Sequence, residues 1–94
     1  MRAARKVIPV VEGVGDLKFP GFEGAVQYQI AGEPARLKQG MDRLRGSITA
    51  TTEIAEAAFH AGEGLLRLAT GELLRLTMLG HTQGEPEIFI EARV

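Results

Sequence analysis

The stretch Gly64-Leu65-Leu66-Arg67-Leu68-Ala69-Thr70-Gly71-Glu72-Leu73-Leu74-Arg75-Leu76-Thr77-Met78-Leu79 decides the fold. Two leucine-rich segments flank Thr70-Gly71, which is turn chemistry, so the whole reads as a β-hairpin. Its register follows from the side chains. Leu66 and Leu68 must share a face with Leu74 and Leu76 if the hairpin is to bury one side. A two-residue turn at Thr70-Gly71 sets Leu66 opposite Arg75 and mixes the faces. A three-residue loop, Ala69-Thr70-Gly71, sets Leu66 opposite Leu74 and gives Gly71 the left-handed position such loops need. Because a slip of one residue turns every leucine to the wrong side, the three-residue loop is expected.

Working outward, the same period of two recurs on both sides. Val26, Tyr28 and Ile30 alternate with Gln27 and Gln29, predicting a strand over 24–30. Leu44, Gly46, Ile48 and Ala50 alternate with Arg43, Arg45, Ser47 and Thr49 over 43–50, and Gly46 inside that strand marks a bulge or a tight bend of a barrel wall. Ile88, Ile90 and Ala92 oppose Phe89, Glu91 and Arg93 over 87–93. Shorter strands are expected over 7–12, 17–19 and 35–38, with a loop at Gly13-Val14-Gly15-Asp16, a turn at Pro20-Gly21 and a loop over 80–86.

Residues 52–61 read two ways, since Ala55, Ala57 and Phe59 alternate with Glu56 and His60 as a strand would. Thr51 or Thr52 supplies an N-cap, Glu53 sits in the first turn, Gly62 ends the segment, and the residues between are good helix formers. A helix of about two turns is expected, with Ile54, Ala58 and Phe59 against the sheet. The tripeptide Gly-Glu-Pro occurs twice, at 32–34 and 84–86. The flanks do not match, so this is recurrent turn chemistry and not an internal duplication. The expectation is a mostly-β single domain over 1–94: a small antiparallel barrel or sandwich of six to seven short strands with one short helix.

Composition narrows the function classes. The chain has 94 residues and no cysteine, which leaves no disulfide framework and no thiolate metal site. A formal net charge of −1 argues against bulk nucleic acid or an anionic membrane as partner. Arg2, Arg5 and Lys6 precede the apolar Val7-Ile8-Pro9-Val10-Val11, but Pro9 interrupts that run and Glu12 ends it, so it does not read as a signal peptide. No run approaches transmembrane length. A cytoplasmic location is expected.

Catalytic residue types are scarce. His60 and His81 are the only histidines, and neither stands at a zinc-binding spacing. Ser47, the sole serine, lies mid-strand without a nucleophile elbow. Gly13-Val14-Gly15 lacks the third glycine and the following helix of a dinucleotide fingerprint. No cofactor or metal is expected. His81 with a carboxylate such as Glu85 is the one acid–base pair the sequence offers.

Two surfaces carry the functional expectations. Arg36, Lys38, Arg43 and Arg45 all point off the core face of one hairpin, beside Ser47 and Thr49, a cluster suited to a phosphate or nucleotide. Leu65 and Leu73 fall on the face away from the buried leucines, and Leu79 and Phe89 join them. A sheet with one wet face should be polar there, so this second apolar face is covered by the helix, by the N-terminal strand or by a second copy of the chain. The leading expectation is a non-catalytic binding or protein-interaction module that self-associates as a homodimer. The alternatives are a small-ligand barrel with an anion site at Arg36, Lys38, Arg43 and Arg45, and a small enzyme using His81.

Overall fold

A computed structural model describes residues 10–32 and 43–93. In chain order these are β1 (Val10–Phe19), β2 (Phe22–Ala31), β3 (Leu44–Thr49), α1 (Thr52–Ala61), β4 (Glu63–Arg67), β5 (Leu73–His81) and β6 (Glu87–Arg93). The six strands close into an antiparallel barrel in the order β1-β2-β3-β6-β5-β4, so the first and fourth strands meet. Of the two expected architectures this is the barrel. The strand expected over 35–38 lies outside the described residues.

The hairpin that decided the fold has the register its leucines require. Leu66 faces Leu74, and the Leu68 N–H donates to the Glu72 carbonyl at 2.8 Å, closing the three-residue loop. Gly71 takes φ 96° within it. Leu66, Leu74 and Leu76 are buried with Leu17, Ile30, Ile48, Ile88 and Ile90 as the largest fully enclosed side chains. Each such side chain contributes about 1.5–3 kcal/mol on leaving water, and together they fill the barrel interior.

The helix begins and ends where its caps stand. The Ile54 N–H donates to Thr51 Oγ1 at 3.2 Å, and the Gly62 N–H donates to the Ala58 carbonyl. Helix α1 packs against β4, β5 and β6 and sets Ala55 and Ala58 into the common core, with Ile54 half-buried beside them. Phe59, expected against the sheet, instead faces outward, because the two alanines already occupy the inward stripe.

The N-terminal reading is corrected. Residues 10–19 form one continuous strand, and the expected loop at Gly13–Asp16 is part of it. Gly13 and Gly15 lie on its inward face, where the Tyr28 ring of β2 occupies the room that side chains would take. A Cβ on Gly13 would stand 3.0 Å from the Tyr28 hydroxyl, and one on Gly15 would meet the Arg67 carbonyl and the Tyr28 ring. The glycines thus serve a cross-strand aromatic and not a turn. Likewise β5 runs on to His81, beyond the expected end at Leu79, with a bulge between Met78 and Gly80.

The barrel is strongly staggered. Followed round the ring, the register runs from Val10 through Ala31, Arg45, Glu91 and Thr77 to Glu63. Since Leu65 faces Lys18, Glu63 falls level with position 18 + 2 = 20, which is 20 − 10 = 10 residues further along the first strand than the start. Closure under such shear tilts the strands and leaves their ends uncovered. It also bends them sharply. At the inward-facing Gly46, a Cβ would run into the Gln29 carbonyl oxygen and stand 2.9 Å from Ile30 Cα.

Candidate functional site

With its interior filled, the barrel's chemistry lies on its outer wall. Among the described residues the exposed large apolar side chains are Val10, Val14, Phe59, Leu65, Leu73, Leu79 and Phe89. The register sorts them into three places.

The first is an open edge. β1 pairs with β4 only at Asp16–Arg67, Leu17–Leu66 and Lys18–Leu65. Beyond Arg67 the fourth strand turns away, and the Ala69 N–H donates to Tyr28 Oη at 3.1 Å instead of to β1. The two-residue turn at Pro20-Gly21 makes Phe19–Phe22 a bonded pair, so alternate residues of β1 bond β2 and the others turn their N–H and C=O toward β4. Val10, Glu12 and Val14 are of the second kind, and among the described residues no strand stands opposite them. Val10 and Val14 are also the two most exposed large apolar residues described, at 61% and 58%. Leu73 flanks the opening, two strands from Asp16 at the level where pairing stops.

The second is a groove of about 890 Å³ between the β1–β2 turn, the start of β4 and the outer faces of β5 and β6. Lys18 faces Leu65, Leu65 faces Arg75, and Arg75 faces Arg93, so one level of the wall carries three cations around a leucine. Phe22, which stacks on Phe19 at a centroid distance of 5.2 Å, lines the groove from the turn. Glu23, opposite Lys18, and Glu63, 4.0 Å from Arg93, stand at its ends.

The third lies by the bulge. Phe89 faces Gly80 next to Leu79, and Phe59 of α1 approaches the His81 ring at 6.0 Å. His81 Nε2 lies 2.8 Å from the Glu85 carbonyl oxygen. A carbonyl only accepts, so Nε2 carries the proton. The partner of His81 is therefore the Glu85 main chain, and the paired carboxylate that acid–base work requires is not part of this contact.

Of the expected cation cluster, Arg43 and Arg45 are among the described residues. Arg36 and Lys38 lie outside the described residues. Arg43 bonds Glu91 at 2.8 Å, and Arg45 faces the same glutamate across the β3–β6 ladder. Of the expected apolar residues, Leu65, Leu73, Leu79 and Phe89 all point outward, but not as one patch. Leu73 and Leu79 stand six residues apart (79 − 73) on β5 with Arg75 and Thr77 between them, about 20 Å at strand rise.

Sequence reading missed Val10 and Val14, whose signal was that they share a strand face with the charged Glu12, and missed the opposed Arg75 and Arg93, which only the β5–β6 register reveals. Among the described residues no group of three His, Asp or Glu side chains is placed to hold a metal ion, and no helix is long and apolar enough to cross a membrane. No family model, curated protein or solved structure matches this chain.

Proposed function

We propose that this chain is a non-catalytic protein-interaction module that self-associates, with the open edge of β1 as the seam between two copies. The observation that supports this reading is the coincidence, over Val10–Val14, of main-chain groups that no strand among the described residues faces on the β4 side and the two most exposed large apolar side chains described. Unpaired edges of this kind template another strand, and proteins that remain monomeric blunt them with lysine, proline or a covering loop. Val10-Val11-Glu12-Gly13-Val14 contains neither lysine nor proline, and Glu12 is its single charge. Antiparallel pairing confined to the open stretch centres on Glu12 and sets Val10 of each copy against Val14 of the other, since Asp16 is already paired with Arg67.

Sedimentation velocity across the micromolar range tests the reading. The expected result is a concentration-dependent dimer that Val14→Lys converts to monomer without altering the far-ultraviolet circular dichroism. A wild-type chain that stays monomeric throughout, or a dimer that Val14→Lys leaves intact, overturns it.

A further inference from the structure

We propose that the groove beside Leu65 binds a small amphipathic anion, a carboxylate or phosphate head on a short hydrocarbon body, with the head held between Arg75 and Arg93. These two arginines face each other directly across the β5–β6 ladder. Like charges directly opposite one another on the outer face of a ladder are unfavourable. Arg93 is oriented by Thr77, whose Oγ1 accepts from its Nη1 at 3.0 Å, and its other Nη is 4.0 Å from Glu63. Arg75 has no ion-pair or side-chain hydrogen-bond partner among the described residues. An anion between the two guanidiniums replaces their repulsion with charge-assisted hydrogen bonds, which planar guanidinium forks make bidentately to either head group.

The rest of the groove sets the remainder of the ligand. Leu65 lies beside Arg75 and continues into Phe22 and Pro20, an apolar wall next to the charged one. A volume of about 890 Å³ is that of a small-molecule site. The two carboxylates define the limit. Glu23 and Glu63 flank the cationic row, so a long polyanion tracking along it meets like charge at both, whereas one compact head group on the Arg75 side of Arg93 meets only Glu63.

Methyl NMR of Leu65 reads the site without needing an activity. Titration with sodium octanoate and with octyl phosphate, each below its micelle concentration, is expected to shift the Leu65 methyls and the Arg75 Nε–H saturably. The tighter of the two identifies the head group. Arg75→Gln is expected to weaken that binding at least tenfold while leaving the thermal midpoint in place. Inorganic phosphate alone is expected to bind at least tenfold more weakly than octyl phosphate. Absence of a saturable shift with both amphiphiles, an Arg75→Gln chain that titrates like the wild type, or full affinity for inorganic phosphate each overturns the proposal. The same titrations in Val14→Lys separate the groove from any assembly at the β1 edge.

Discussion

The hydroxyl of Tyr28, rooted in β2, accepts the N–H of Ala69 at 3.1 Å, reaching past the two glycines of β1 to the point where β4 leaves the wall. One side chain therefore fills the space left by Gly13 and Gly15 and satisfies the first donor that the shortened β4 orphans. Tyr28→Phe removes only the acceptor. It is expected to cost about 1–2 kcal/mol in urea unfolding, the range for an amide left without its partner in a half-buried site.

The inward glycine of β3 is more demanding. Gly46→Ala drives a methyl into the Gln29 carbonyl and Ile30 Cα, both main-chain atoms that cannot rotate away. A loss of about 3 kcal/mol or more is expected, as soluble yield and thermal midpoint will show. Gly71→Ala meets no atom within 4 Å, and its cost comes only from φ 96°. It is expected to lose about 1–2 kcal/mol.

Neighbouring leucines on β4 provide a test of alternation. Leu66 is fully buried and Leu65 lies on the outer wall. Leu66→Ala is expected to destabilise by about 2–5 kcal/mol, and Leu65→Ala by about 0.5 kcal/mol or less, both read from denaturant midpoints at unchanged m-value.

Helix α1 depends on its first residue outside the helix. Thr51→Ala removes the oxygen that accepts from the Ile54 N–H and is expected to cost about 1 kcal/mol. Thr51→Ser, which keeps that oxygen, is expected to recover most of it in the same unfolding assay.

Legibility in the sequence followed the range of the interaction. The β4–β5 hairpin was readable because Leu66, Leu68, Leu74 and Leu76 constrain one another within a few residues of the turn. The helix was readable because Thr51 and Gly62 cap it locally. Gly13 and Gly15 misled because their purpose is a ring on another strand. A glycine that makes room for Tyr28 looks, along the chain, like a glycine that turns. The outward direction of Leu65, Leu73, Leu79 and Phe89 followed from parity alone. Their separation did not, since it depends on distance along β5 and on the bulge after Met78. The opposed Arg75 and Arg93 were hidden for the same reason: the loop from Thr82 to Pro86 and that bulge together set the register, and neither length was readable from local pattern.

The wall closes through three residue pairs between β1 and β4, at Asp16, Leu17 and Lys18, whereas the β1–β2 hairpin beside it carries ten. Stability is seldom uniform across a fold, and segments held by few contacts open first. The ring is thus a sheet with a clasp. Amide hydrogens along that short join should exchange with deuterated solvent well ahead of those on the β3–β6 side. A protease finding this chain partly open would enter there, where parting Leu17 from Leu66 exposes the leucine interior first.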